Sequence, residues 1–362
     1  MKKQKILCCM RHGFPPAGGA ETSMLILSKR LSKDYDVEIY SLGRENFKGV
    51  ENDIAYTSFN FYDRIPPVEK PLKESIKIRE IKNDKNLEKA ILESNPDIII
   101  SQHELSFLVS KMLRKKTLSV PLFNFIHEFG YTDTPANICI GKDSKEYERS
   151  RYLHSKNNTL ELQKVISSSK RTFVPSLFLN NHYKFLGFNN LKVCNPFINL
   201  EEFFNQRGKG NRNEILHVKP VDYKGIFTTL ELARKLPKER FTICGSGITR
   251  DVVKIVDELE NVKYIGECND MPNLYSRCKL VLLPSKRPET FGIVSIEAQA
   301  SGCNNLASNI GGVVAPKPAL ISPSLEGWLE KVIEGGSSLE IEQLKKYDVS
   351  SNYGHIKKVM EM

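Results

Sequence analysis

Glu289 and Glu297 bracket a short, mostly apolar run in the segment "RPETFGIVSIEAQASG", residues 287–302. Glutamate is rarely buried without a partner, so two carboxylates at the ends of a core-like run need a reason. An acid/base pair for glycoside cleavage is the first chemistry to test. On one continuous helix, the eight residues between them would span ~12 Å. Such pairs stand roughly 5–9.5 Å apart. Pro288 and Gly292 predict instead a loop carrying Glu289 and a helix that begins near Gly292. The amides of Phe291, Gly292 and Ile293 then gather beside Glu289 at a helix N-terminus, with Glu297 about one turn inside. This array suits a ligand with both hydroxyls and phosphates, since amides take phosphate oxygens and carboxylates take sugar hydroxyls. The plainer alternative makes Glu297 an exposed helix residue, with Ile296 and Ala300 facing the core.

Four other places bring polar groups to the end of a predicted strand. In "RHGFPPAGGAETSMLILSKRL" a strand ends near Met10, a Pro/Gly loop follows, and a helix begins near Ala20. Gly18 and Gly19 let a ligand approach the backbone, and the helix start offers N–H groups to an anion. A tight βα turn explains the same glycines, and the G-x-G-x-x-G fingerprint of dinucleotide sites is absent. In "LHVKPVDYKGIFTTL" Lys219 and Lys224 follow a strand, where open α/β sheets bind ligands. Two ammonium groups there suit a diphosphate, although two surface lysines are unremarkable in a chain with 53 basic residues. His127 closes the strand "NFIHEFG", and His103 and Glu104 in "SQHELS" hold the same place one unit earlier. Neither makes H-E-x-x-H, and no metal-ligand set is visible, so no metal is expected.

The elements that must position these groups follow from the pattern. Short β-branched runs ("KILCCM", "VEIYS", "PDIIIS", "PLFNFI", then "EILHV", "RFTIC", "LVLLPS") alternate with amphipathic stretches. That alternation predicts βαβ units and parallel sheets. The 362 residues and a polar, glycine-containing stretch at 199–213 predict two doubly wound domains. Residues 130–160 read as a loop insertion, and "ESIKIREIKNDKNLEKAILE" as a solvated helix face. The eight cysteines have no C-x-x-C spacing and read as free thiols. No apolar run reaches the ~18 residues of a membrane span, and the N-terminus reads as a first strand rather than a signal peptide, so a cytoplasmic protein is expected. The net charge of +10 favours anionic partners, but no recognition motif accompanies it and nucleic acid is not expected. "SKMLRKKTLS" clusters Lys111, Arg114, Lys115 and Lys116 away from acids; it reads as an exposed helix end or as a peripheral membrane contact.

Taken in order, these segments resemble the retaining glycosyltransferases of family 4, which have the GT-B fold. "PAGGAE" looks like the family's glycine loop, "VCNPFINLEEF" its interdomain segment, and "HVKPVDYKG" its Gly-Arg…Lys-Gly loop. "PETFGIVSIEAQASG" followed by "SNIGG" resembles its hallmark of two glutamates separated by seven residues. The resemblance implies two Rossmann-like, doubly wound parallel-sheet domains facing a cleft. Residues 1–198 would form the acceptor side, 199–345 the nucleotide-sugar donor side, and 346–362 a tail packing back on the first. It further implies a metal-independent, cofactor-free, retaining hexosyltransferase. The donor would be a sugar nucleotide such as GDP-mannose, UDP-glucose or UDP-N-acetylglucosamine, and the acceptor a glycan, a lipid-linked carrier or a small molecule. Lys219 and Lys224 would then neutralise the departing diphosphate, Glu289 hold the sugar and Glu297 the ribose. Gly18 and Gly19 would close over the phosphates, Gly245 to Gly247 border the base, and His127 lie near the sugar and acceptor. The chain departs from the family where Val218 and Lys219 stand for Gly and Arg, Phe197 for a common Gly, and Asn304 and Asn305 for apolar strand residues. Two alternatives follow: a sugar-nucleotide epimerase of the same architecture, or a non-catalytic nucleotide-binding scaffold.

Overall fold

The computed structural model of the chain describes residues 3–14, 16, 18–61, 70–128, 159–315, 320–321 and 324–361. It forms two compact units, Met1–Phe197 with Tyr353–Met362, and Ile198–Asn352. The expected insertion at 130–160 falls outside the described residues, except that 159 and 160 open a helix.

The first unit is built on β1 (Lys5–Met10), β2 (Asp36–Gly43), β3 (Phe47–Glu51), β4 (Ile54–Asn60), β5 (Ile98–Gln102), β6 (Leu122–Phe125), β7 (Arg171–Val174) and β8 (Leu191–Val193). Their order in the sheet is β3-β4-β2-β1-β5-β6-β7-β8. Neighbours are parallel except β3 and β4, an antiparallel pair that the repeating βαβ pattern did not predict. Ile6 to Met10 and Ile98 to Gln102 are buried throughout, as strands covered on both faces must be. The connecting helices are α1 (Gly19–Leu31), α2 (Lys70–Asn83), α3 (Lys85–Ser94), α4 (Leu105–Arg114), α5 (159–168) and α6 (Leu177–Phe185). The stretch expected to form one helix face is two helices. Asp84 breaks it, because its carboxylate caps α3 by accepting from the amides of Asn86 and Leu87.

The second unit orders its strands β11-β10-β9-β12-β13-β14, all parallel. These are β9 (Glu214–Val218), β10 (Arg240–Cys244), β11 (Val262–Tyr264), β12 (Cys278–Leu283), β13 (Asn304–Ser308) and β14 (Leu320–Ile321). α7 (Leu200–Phe204), α8 (Ile226–Lys235), α9 (Arg250–Asp257), α10 (Met271–Ser276), α11 (Ile293–Ala300), α12 (Leu325–Glu334) and α13 (Ile341–Lys345) surround it. The last helix, α14 (Val349–Glu361), passes into the first unit from Tyr353 onward. There Tyr353 donates to Asp34 at 2.7 Å, and Arg30 lies 4.4 Å over its ring.

The two unexpected asparagines on β13 find partners. Asn305 is fully buried and donates to the Ser295 carbonyl and hydroxyl, and Asn304 donates to the Gly335 carbonyl. Phe197, in the place of a glycine, is buried, and its amide donates to the Ser23 hydroxyl at 2.7 Å. The seven described cysteines are free thiols, all buried but Cys268; Cys139 lies outside the described residues. No described helix is long and apolar enough to cross a membrane.

Each sheet has a switch point, where successive connections depart to opposite sides and leave a crevice at the strand ends. In the first unit it lies at β1, between β2 and β5. In the second it lies at β9, between β10 and β12.

Trp328, the chain's single tryptophan, packs with Leu280, Leu282 and Leu306 in the core of the second unit. Its fluorescence should therefore report that unit alone. Leu282→Ala should lower the unit's unfolding free energy by about 2–5 kcal/mol, seen as an earlier urea midpoint of the Trp328 signal.

Candidate active site

The second unit's site grows from the end of β9. Lys219 lies in the left-handed region, at φ 70°, which costs a non-glycine residue backbone strain. Its amide donates to the Cys244 carbonyl at 2.7 Å, and its carbonyl accepts from Val221 at 2.8 Å. A 3-10 turn, Asp222–Lys224, then ends at Gly225, φ 78°, which opens α8. A Cβ on Gly225 would lie 1.9 Å from the Pro284 carbonyl oxygen, so only glycine lets this loop meet the end of β12. That contact sets the ion pair of the site. Lys224 Nζ lies 2.6 Å from Glu289 Oε1, and the Ser285 hydroxyl donates to the same oxygen. Lys286 braces the loop from the other side, its amide donating to the Tyr223 carbonyl at 3.0 Å.

Glu289 is in a loop, and α11 begins after Gly292, φ 79°. Its backbone is held by a bridge to Gly311, where a Cβ would lie 2.4 Å from the Glu289 carbonyl oxygen. Phe291 turns its ring into the core against Tyr347, leaving the amides of Gly292 and Ile293 to start the helix. Glu297 is not an exposed helix residue. It is half-buried and accepts a hydrogen bond from the Tyr275 hydroxyl at 3.1 Å. Burial pushes its carboxyl up to about 7, with the Tyr275 bond opposing. Gln299, fully buried, pins α11 by donating to the Ser295 and Val314 carbonyls and accepting from the Leu339 amide. Gly245 and Gly247, at φ 107° and 93°, pack on the Lys219–Val221 turn; a Cβ on Gly247 would lie 2.8 Å from Val221. His217, beneath this loop, is bonded to Thr229 and held down at about 4 by burial, so it adds no charge near neutral pH.

The first unit gathers polar groups at its own switch point. Arg11, after β1, lies 3.0 Å from both Glu104 after β5 and Glu128 after β6. His103, at φ 55°, stands between Glu21 of α1 (3.8 Å) and Glu128 (3.5 Å). Burial alone would raise the Glu104 carboxyl, yet Arg11, His103 and Lys77 hold it below its ordinary value. His127 stacks on Phe125, and burial lowers it to about 3, so it is neutral and can accept or donate a hydrogen bond. With His103, Ser106 and Asn124 it lines a cavity of about 10 Å³, room for one water. Gly18 is the N-cap of α1 in extended backbone, and its carbonyl accepts from Thr22. Gly13 is the tighter glycine: a Cβ there would lie 2.3 Å from the Tyr56 ring.

The predicted residues therefore fall into two groups. Lys219, Lys224, Gly245, Gly247, Glu289, Phe291, Gly292, Ile293 and Glu297 belong to the second unit; Gly18, Gly19 and His127 belong to the first. The sequence reading missed Ser285, Tyr275, Arg11, Glu21, Lys77 and Glu128. The repeated pairs "RH", "HE" and "HE" within two residues of the ends of three strands were the available signal for part of that set. Among the described residues no group of three or more His, Cys, Asp or Glu could hold a metal ion.

The Glycosyltransferase Family 4 model matches residues 17–202, just over half of the chain, and the model of Glycosyl transferases group 1 matches 199–315. The chain belongs to Glycosyltransferase Family 4. Solved structures give it the GT-B fold. A sucrose-phosphate synthase from Thermosynechococcus elongatus matches at TM-score 0.78 and 15% identity, covering 99% of this chain and 98% of that one. Anabaena HepE, solved with UDP and glucose, matches at TM-score 0.68 and 17% identity over 99% of both chains. The catalytic domain of Arabidopsis thaliana starch synthase IV, bound to ADP and acarbose, matches at 0.61 and 14%, covering 100% of this chain and 96% of that one. A Klebsiella pneumoniae protein described as an uncharacterized 41.2 kDa protein in cps region is 25% identical over 257 residues. The chain covers 65% of that relative's length. In this family member, both halves of the "PETFGIVSIEAQASG" motif end on defined partners, Glu289 on Lys224 and Ser285, Glu297 on Tyr275.

The raised carboxyl of Glu297 has a consequence for stability. Between the ordinary carboxylate range and about 7, the folded chain holds this proton and the unfolded chain releases it, so stability falls as pH rises across that window. Urea midpoints from pH 5 to 8, read by Trp328, should decline by the equivalent of roughly 1–3 kcal/mol in the wild type, and Glu297→Gln should remove that slope.

Proposed function

We propose that the protein is a retaining glycosyltransferase that moves a hexose from a nucleoside-diphosphate sugar to a glycan, lipid-linked or small-molecule acceptor, using neither metal nor cofactor. The observation that carries the reading is the Lys224–Glu289 pair at the β9/β12 switch point, 2.6 Å apart and flanked by the start of α11. The second unit would take the donor and the first the acceptor. Lys224 and Lys219 would meet the diphosphate as negative charge grows on it, with the α11 amides beside them. Lys219 supplies charge without the bidentate fork of arginine. As the diphosphate draws Lys224, Glu289 would be left to accept hydrogen bonds from the sugar hydroxyls. Glu297 would take the ribose hydroxyls, and the Gly245–Gly247 loop would border the base. The bond from the anomeric carbon to the phosphate oxygen breaks as the acceptor oxygen bonds that carbon on the same face. The acceptor's proton passes to a donor phosphate oxygen. Neutral His127 and the carboxylates around Arg11 would position sugar and acceptor, so the protein supplies placement and charge more than a dedicated base. Family membership and the UDP- and ADP-bound neighbours support this reading.

Lys224→Ala and Glu289→Ala should each abolish sugar transfer while the Trp328 unfolding midpoint stays within the wild-type range; full transfer by both would sink the proposal. A nucleoside diphosphate at a hundred times its Kd should stabilise the second unit by about 2.7 kcal/mol, and comparing UDP, GDP and ADP identifies the base. Conversion of the donor without any acceptor would mark an epimerase instead. Because ribose hydroxyls donate best to an ionised carboxylate, donor affinity should rise between pH 6 and 8, and Glu297→Gln should flatten that rise, by calorimetry.

A further inference from the structure

Helix α6 of the first unit is apolar on the wrong side. Its inward residues Leu179, Asn180 and Tyr183 are buried. Its outward stripe is Leu177, Phe178, Asn181, Lys184 and Phe185, all exposed. Phe185 is 85% exposed and Leu177 65%. Scattered exposed hydrophobics need no explanation, but large apolar side chains sharing one helix face mark a surface that is covered in use. The stripe is intrinsic to the helix register: positions i, i+1, i+4, i+7 and i+8 fall on one side.

The surrounding charge says what covers it. Residues 162–200 contain no Asp or Glu, but five basic residues, Lys164, Lys170, Arg171, Lys184 and Lys192; of these Lys164 is answered by Glu161 of α5 at 2.8 Å. Residues 105–127 are likewise free of acids and add Lys111, Arg114, Lys115 and Lys116. The topology collects these segments. β6, β7 and β8 form one side of the sheet, ending at the edge strand β8, where Lys192 and Val193 are exposed. α4, α5 and α6 connect strands that step in one direction, so right-handed crossovers put all three helices on one face. Ser110 of α4 meets Ser168 of α5, and Leu162 and Val165 of α5 share a core with Leu179 and Tyr183 of α6. Lys115, Lys116, Lys170 and Lys184 are exposed near the N-terminal ends of these strands and Lys192 on the edge strand itself, while Leu177 opens α6 at the other end, so the stripe runs along the side of the sheet. Within "SKMLRKKTLS" itself Lys111 is partly withdrawn, donating to the Lys82 carbonyl, so the segment's basic end is Arg114 to Lys116.

We propose that this face, α6 with the basic ends of α4, α5 and β8, docks on an anionic lipid surface, with Leu177 and Phe185 entering the headgroup boundary and the lysines meeting lipid phosphates. An apolar helix stripe rimmed by lysine is the composition of an interfacial membrane contact. A second copy of the chain fits poorly, because a two-fold contact sets a patch against itself and would bring the exposed lysines of α6 and β8 against one another. Its residues belong to the first unit and the donor residues to the second, so the docking can hold or fail independently of the proposed transfer.

Vesicle flotation of the full chain tests it. Vesicles of phosphatidylglycerol mixed with phosphatidylcholine should carry the wild type, and phosphatidylcholine alone should carry about tenfold less. Binding should fall on raising salt from about 0.1 M to 0.5 M. The double variants Leu177→Ser/Phe185→Ser and Lys184→Glu/Lys192→Glu change only exposed side chains, and each should cut binding at least about fivefold with an unchanged circular-dichroism melt. Absence of binding to the anionic vesicles, or variants that float like the wild type, overturns the proposal. So does a concentration-dependent dimer that the Ser variant abolishes, since that would give the face to a second copy.

Discussion

The geometry of the donor side rests on one steric constraint, the passage of the β9–α8 loop against the end of β12. Gly225 is the residue at the crossing, and the Pro284 carbonyl fills the space where its Cβ would stand. Because the two backbones touch there, Lys224 comes within 2.6 Å of Glu289 and the Lys286 amide reaches the Tyr223 carbonyl. A second crossing of the same kind, Gly311 against Glu289, fixes the other end of the loop. The side chains that carry the chemistry are therefore set by two glycines that carry none. Backbone contacts of this sort cannot be stretched to admit a methyl group, which makes the site rigid where its charges lie.

The carboxylates of the molecule differ by what answers their burial. Glu104 is the most enclosed, yet it stays below its ordinary value because Arg11, Lys77 and His103 surround it. Glu297 is less enclosed, but a tyrosine hydroxyl is its named partner, so burial prevails and the carboxyl rises to about 7. Nearby cations outweigh desolvation in the first case, whereas in the second burial is opposed by the Tyr275 bond. The two switch points thus arrive at opposite settings. That of the first unit sets Arg11 against the carboxylates of Glu104 and Glu128. That of the second holds the Lys224–Glu289 and Lys286–Asp222 ion pairs and one carboxyl poised to change state when a hydroxyl-bearing ligand arrives.

Much of this was legible in the residues. The β-branched runs alternating with amphipathic stretches carried the two sheets, since strands buried on both faces must be apolar throughout. Pro288 and Gly292 marked the loop-to-helix junction, because each has a conformational role that does not depend on context. The antiparallel β3–β4 pair was not legible, because its exposed residues Phe47, Lys48 and Val50 give no clean alternation. The break at Asp84 was not either: the charged stretch around it reads as a helix on both sides, and the cap is decided by one side-chain bond.

By itself, the sequence determined the kinds of element, their order, and the positions just after strands where ligand-binding groups belong, because local periodicity and turn chemistry act over a few residues. Only the tertiary structure decided which of those groups meet. Arg11 and Glu128 are 117 positions apart, and Lys224 and Glu289 are 65. Their pairing comes from strand order, which runs β1-β5-β6 in the first sheet and places β9 beside β12 in the second. The tertiary structure also decided the charge state of Glu297 and the outward turn of Phe185, because both depend on what the rest of the chain buries.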